Sequence, residues 1–200
     1  MRTIIRNATL VNEGACFKGH LIIEDERIAE VLSSEGISDV PCDVEIDASG
    51  MYLLPGVIDD HVHFRDPGLT HKADMESESR AAASGGVTSY MDMPNTVPQT
   101  TSLETLDAKF ADAGKKSRVN YSFFFGVTND NAQLLPSLDK RRVCGVKLFM
   151  GSSTGNMLVD KQEALTKIFS EAGMLIMAHC EDQSIIQANT EALKAQYGED

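Results

Sequence analysis

Two histidines separated by one residue, His61 and His63, close an apolar run that continues into Phe64-Arg65-Asp66-Pro67-Gly68. Neutral imidazole is a good zinc ligand. In an extended strand successive side chains point to opposite sides, so Asp59, His61, His63 and Arg65 are expected on one face, the histidine Cα atoms ~7 Å apart. Two nitrogen ligands beside a fixed guanidinium describe a metal site that also grips an anion. The plainer alternatives are half-buried histidines satisfied by backbone carbonyls and an ion pair between Arg65 and Asp66. Asp60 falls on the opposite face, and nothing in the pattern gives it a role.

Three further residues have the chemistry to join such a site. Lys147 lies within Val143-Cys144-Gly145-Val146-Lys147-Leu148-Phe149-Met150, an otherwise apolar run. An ammonium there must meet an acid or give up its proton. As a neutral amine it can take up carbon dioxide to form a carbamate, whose two oxygens can bridge two cations. His179, in Leu175-Ile176-Met177-Ala178-His179-Cys180-Glu181, shares a face with Leu175 and Met177; a satisfied core histidine is the ordinary reading. Asn95 follows Met93-Pro94 and offers its amide to a substrate, or is a turn residue. The loop over residues 151–156, Gly-Ser-Ser-Thr-Gly-Asn, could present amides to an anion but lacks the lysine and spacing of a phosphate-binding loop, so it reads as a connector. His20 and His71 read as surface residues.

The elements that must position these groups follow from the spacing of apolar runs and turn residues. Short β-rich runs over 3–6, 8–11, 20–24, 27–31 and 44–46 make residues 1–54 a small all-β unit. From Leu53-Leu54-Pro55-Gly56 onward, over residues 55–200, strand and helix alternate. Strands are expected at 57–64, 88–93, 119–127, 142–150 and 174–180, and helices at 74–84, 103–113 (stopped by Gly114), 161–172 and 182–196, with a weak helix or turn at 129–138. Nearly continuous apolar strands between helices indicate a buried parallel sheet. A doubly wound sheet and a β/α barrel compete. The polar candidates end several different strands, which favours the barrel, and a barrel needs eight units over ~250 residues where this chain offers five.

Composition adds bounds. With 42% hydrophobic and 24% charged residues among 200, the chain has material for a sizeable core. A net charge of −12 spread along the chain argues against nucleic acid or an anionic membrane as partner. Cys16, Cys42, Cys144 and Cys180 form no C-x-x-C pair, and two lie in apolar runs, so reduced, buried thiols and a cytoplasmic setting are expected. No signal core, membrane-length run, internal repeat or low-complexity linker is present.

Taken together, Pro55-Gly56-Val57-Ile58-Asp59-Asp60-His61-Val62-His63-Phe64-Arg65-Asp66-Pro67-Gly68, Ala82-Ala83-Ser84-Gly85-Gly86-Val87-Thr88, Met93-Pro94-Asn95-Thr96, Gly145-Val146-Lys147-Leu148-Phe149-Met150 and Ala178-His179-Cys180-Glu181-Asp182 resemble the dihydroorotases of the amidohydrolase superfamily. The likeness runs from about residue 3 to 190. It implies the first five units of a (β/α)8 TIM-like barrel preceded by a small β-sandwich segment. It also implies two zinc ions, the more buried one held by His61 and His63, bridged through carboxylated Lys147 to a second held by His179. Arg65 and Asn95 would hold the substrate carboxylate. The implied reaction is the reversible cyclisation of N-carbamoyl-L-aspartate to L-dihydroorotate in pyrimidine biosynthesis, by a homodimer. The family's further histidine ligand and its proton-shuttling aspartate are expected beyond residue 200, so the 200-residue chain alone is expected to be inactive. Dihydropyrimidinases, hydantoinases and allantoinases share the histidines and lysine, but Arg65 favours a carboxylated substrate. A non-catalytic assembly subunit is the reading of a different class.

Overall fold

A computed structural model describes residues 1–34, 40–151 and 155–199, and divides the chain into two compact units, Met1–Gly56 and Val57–Asp200. The first unit is one sheet among the described residues, and so supplies a single layer of the expected sandwich. Its strands are β1 (Arg2–Asn12), β2 (Ala15–Glu24), β3 (Arg27–Ser33), β4 (Val44–Asp47) and β5 (Tyr52–Leu53), in the order β3-β2-β1-β4 with β5 also on β1. The expected runs 3–6 and 8–11 are one strand interrupted by a bulge between Ile5 and Ala8. Asn7 sits in the bulge with φ 62°, a conformation that asparagine tolerates better than most residues. His20 is buried, not on the surface as expected, because its Nδ1 accepts the Asn7 N–H at 3.2 Å and ties the bulge to β2. A two-residue turn, Glu13-Gly14, joins β1 to β2 with both φ values positive, matching the twist of a tight hairpin.

The second unit runs β6 (Val57–Val62), α1 (Met75–Ser84), β7 (Val87–Asp92), α2 (Leu103–Lys116), β8 (Asn120–Gly126), a 3₁₀ turn (Ala132–Ser137), β9 (Gly145–Phe149), α3 (Gln162–Glu171), β10 (Ile176–His179) and α4 (Gln183–Tyr197). The strands are parallel and ordered β10-β9-β8-β7-β6. A doubly wound sheet reverses its strand order at a switch point. Here the order follows the sequence without reversal, which is barrel topology. The centre is buried on both faces: Phe123, Phe124 and Phe125 of β8 are all at 0% exposure, as are Val146 and Leu148 of β9.

Local chemistry explains most helix limits. Asp74 caps α1 by accepting the Ser77 N–H at 2.8 Å, and Ser102 with Thr105 forms a capping box on α2. The stop expected at Gly114 does not occur. The helix continues to Lys116 because Leu106, Phe110 and Ala113 bury one face against the core, a gain that exceeds the ~1 kcal/mol penalty of one interior glycine.

Two expectations of burial fail. The strand carrying His61 was expected to be buried, yet Val57 is 53% and Ile58 61% exposed. Among the described residues it is an edge strand, hydrogen-bonded to β7 alone. All four cysteines are free, but none is fully buried, Cys16 and Cys180 being exposed; Cys180 lies just past the other edge strand, β10. Of the expected loop 151–156, residues 152–154 lie outside the described residues. Among the described residues no helix is long and apolar enough to cross a membrane.

Candidate metal and anion site

All of the candidate residues lie in the second unit; Lys147 is the middle residue of β9, and the others lie at or just past the C-terminal ends of the parallel strands. His61 is on β6, but the strand ends at Val62, and His63 and Arg65 belong to the turn that follows. Simple alternation therefore does not place Arg65. Its φ of 63° is left-handed, and its carbonyl accepts the Leu69 N–H at 2.9 Å. One residue earlier, the Phe64 N–H donates to Asp92 Oδ1 at 2.9 Å, and Met93 N–H bonds Val62 O at 3.0 Å. The turn is thus stitched to the end of β7.

The rings of His61 and His63 lie with centroids 5.3 Å apart. His63 Nδ1 is 2.9 Å from Asn95 Oδ1. An amide oxygen can only accept, so with the oxygen assigned to that side the proton sits on Nδ1 and the Nε2 lone pair is left for a ligand. Burial, then the neighbouring Arg65 cation, lowers the His63 pKa below its usual value, which keeps the ring neutral, as a metal ligand must be. Asn95 thus has a histidine partner that the sequence reading missed. Its amide nitrogen has no partner among the described residues.

Lys147 sits at 3% exposure in β9, all five residues of which are buried. No acid pairs with it among the described residues; its Nζ lies 4.9 Å from the Phe149 ring centroid. Burial lowers its pKa from 10.5. The ion-pair alternative therefore fails among the described residues, and burial shifts the balance toward the neutral amine. The Phe149 ring also lies 6.1 Å from the ring of His179, so it neighbours both the lysine and the histidine of the next strand. His179 Nε2 is 3.3 Å from Glu181 Oε1. The alternative ion pair for Arg65 fails as well: Asp66 is engaged by Lys116 Nζ at 2.9 Å and by the Met75 N–H at 3.2 Å, and among the described residues no acid pairs with Arg65.

Two groups result, His61 with His63 and Asn95 at the end of β6, and Lys147 with His179 around Phe149, with β7 and β8 between them in the sheet. Among the described residues no three His, Cys, Asp or Glu side chains form a metal cluster. A carbamate on Lys147 would add oxygen ligands that such a set lacks. Asp92 and Lys109, an ion pair at 2.7 Å at the heart of the unit, were not singled out in the sequence. The signal was there: Asp92 in Tyr90-Met91-Asp92-Met93 is an acid in an apolar run, and Lys109 lies in the apolar stripe of α2 with Leu106, Phe110 and Ala113.

Residues 50–197 match a family model described as dihydro-orotase-like. The chain belongs to that family. An L-hydantoinase of Paenarthrobacter aurescens is 32% identical to this dihydroorotase-like chain over 202 residues, spanning 98% of the chain and 44% of the relative. A dihydroorotase of Methanosarcina mazei is 36% identical over 185 residues, 90% of the chain and 40% of the relative. An allantoinase of Desulfitobacterium hafniense is 35% identical over 195 residues, 94% of the chain and 42% of the relative. Among solved structures, the L-hydantoinase (dihydropyrimidinase) from Arthrobacter aurescens superposes with a TM-score of 0.88 at 30% identity, over 99% of this chain and 45% of that one. The chain therefore spans less than half the length of these relatives. It constitutes the first five units of a (β/α)8 amidohydrolase barrel with the preceding β segment.

Proposed function

We propose that the full-length protein is a zinc-dependent dihydroorotase, interconverting N-carbamoyl-L-aspartate and L-dihydroorotate. The observation that carries this reading is Arg65: a guanidinium beside a candidate metal ligand, unpaired with any acid among the described residues and held in a left-handed turn. A planar fork of donors suits a carboxylate, and dihydroorotate carries one where hydantoins and dihydropyrimidines need not. Asn95 supports it from the other side. With Oδ1 on His63, its amide nitrogen is free to donate to the same carboxylate.

The donor set suits zinc. His61, His63 and His179 offer imidazole nitrogens, and among the described residues Lys147 is buried without an acid, a setting that favours the uncharged amine needed to attack carbon dioxide and become an anionic carbamate. Bound there, zinc would supply Lewis-acid polarisation of the ring carbonyl and a water acidified toward neutral pH. The chain's own contribution is orientation: Asn95 sets the His63 tautomer, Phe149 covers the Lys147 amine, and Arg65 fixes the end of the substrate remote from the scissile amide. The likenesses to L-hydantoinases in sequence and structure favour a second reading, hydrolysis of an uncarboxylated cyclic amide.

Assays of the full-length protein on dihydroorotate, hydantoin, dihydrouracil and allantoin separate the two. The expected result is a preference for dihydroorotate that Arg65→Ala abolishes through KM. Unchanged turnover of dihydroorotate in Arg65→Ala would remove the carboxylate assignment. Absence of zinc together with no hydrolysis would end the enzyme reading.

A further inference from the structure

The turn that carries His63 and Arg65 is bracketed by two buried carboxylates, and each is held by a lysine of the same helix. On one side Asp92, at 0% exposure, accepts the Phe64 N–H on Oδ1 at 2.9 Å, while its Oδ2 lies 2.7 Å from Lys109 Nζ and has no other partner among the described residues. Lys109 Nζ also donates to Met93 O at 3.0 Å and lies 4.7 Å from the Phe123 ring centroid. On the other side Asp66, at 2% exposure, accepts from the Met75 N–H at 3.2 Å and pairs with Lys116 Nζ at 2.9 Å, Lys116 being steadied in turn by Asp112 at 2.6 Å. Lys109 and Lys116 are seven residues apart on α2, two turns and ~10 Å along one face of the helix. The residues they fix through these carboxylates, Phe64 and Asp66, are the immediate neighbours of Arg65.

A non-glycine residue persists in left-handed backbone only where its surroundings over-determine it. Here the surroundings are those two clamps. We propose that Lys109 and Lys116 are positioning residues: α2 acts as a strut that, through Asp92, sets the end of the turn presenting His63 to metal and, through Asp66, the end presenting Arg65 to the substrate anion. An ion pair serving only as core filler would have no need to spend the second oxygen of Asp92 on a backbone amide between the two candidate residues.

The Lys109 arm is tested on full-length protein with two double variants. Both Asp92→Asn/Lys109→Met and Asp92→Leu/Lys109→Met remove the charges together, so neither leaves a lone buried ion. Only the first keeps an oxygen acceptor for the Phe64 N–H. Amide exchange of the segment 61–69 in metal-free protein and zinc affinity are then measured. The Leu/Met pair is expected to exchange that segment faster and to bind zinc ~10-fold or more weakly, as loss of a group orienting a ligand does, while the Asn/Met pair stays near the parent. Parental exchange and zinc affinity in the Leu/Met pair, or equal losses in both pairs, would reduce Asp92 and Lys109 to core filler and overturn the proposal.

The Lys116 arm rests on the dihydroorotase reading and uses a partly exposed lysine whose loss the fold should survive. Lys116→Met is expected to raise KM for L-dihydroorotate ~10-fold with kcat little changed, since a displaced anchor weakens substrate positioning, and to leave hydantoin turnover unaltered. Equal changes on both substrates, or none, with unaltered exchange over 61–69, would refute it. If the parent protein does not act on dihydroorotate, the functional reading falls, and zinc affinity in the two double variants with amide exchange in all three still decides the clamp.

Discussion

A buried lysine with no acid beside it is a cost to the fold, and among the described residues Lys147 has none. Replacing it with methionine keeps volume and apolar contact with Phe149 while removing the group that resists burial. Lys147→Met is therefore expected to raise the stability of metal-free full-length protein by on the order of 1 kcal/mol or more, and to abolish zinc retention. Calorimetry and metal analysis check the two halves; a destabilised variant would mean that the ammonium has a partner after all. The pH dependence follows from the sign of the shift. Burial lowers the folded-state pKa below 10.5, so the unfolded chain binds the extra proton more readily than the native one. The destabilisation is then fully present below the folded pKa and fades as pH rises toward 10.5. Carbamate formation runs the same way, because only the neutral amine reacts. A carbon-13 carbamate signal from labelled bicarbonate is expected to grow as pH rises through the depressed pKa and to vanish, with zinc release, as pH falls.

At the scale of elements, the site depends on how closely the β6 and β7 loops approach. Gly68 has φ 82°, and a Cβ there would lie 2.0 Å from the Val97 carbonyl oxygen, whereas Gly86, with φ 85°, has open space around it. Gly86→Ala is expected to cost about 1 kcal/mol from backbone strain alone. Gly68→Ala adds a collision with backbone, and is expected to cost at least twice as much and to displace the Arg65 turn; paired thermal melts and the KM for dihydroorotate measure both. Asp74, Ser102 and Gly173 are local signals, and the helices bounded by them lie close to where spacing puts them. The turn after Val62 is set by Asp92, thirty residues on, so a rule of alternating faces carried Arg65 to the right neighbourhood by the wrong path. Lys147 stood out as a charge in an apolar strand, and the same rule applied to Asp92 would have found the clamp. The single strand β1 looks like two in the sequence because its bulge depends on His20, a residue of the next strand.

For the whole molecule, the arithmetic of strands sets the strongest constraint. The five parallel strands end in two edges, β6 and β10. At the first, Val57 and Ile58 are more than half exposed; near the second, so are Leu175 and, on α4, Ile185 and Leu193. Open parallel edges with apolar flanks template association, and closure of a barrel over the remaining strands would remove both edges at once. A polypeptide limited to residues 1–200 is therefore expected to form soluble aggregates, to bind a hydrophobic dye and to melt without a sharp transition. The full-length protein should form a discrete species with a cooperative melt. Size-exclusion chromatography with light scattering and calorimetry on both lengths decide the matter. A monomeric, cooperatively unfolding 200-residue protein would show that the net charge of −12 and the central β8–β9 core suffice without closure, and the zinc-binding tests on His61, His63, Lys147 and His179 could then be run on the shorter chain directly.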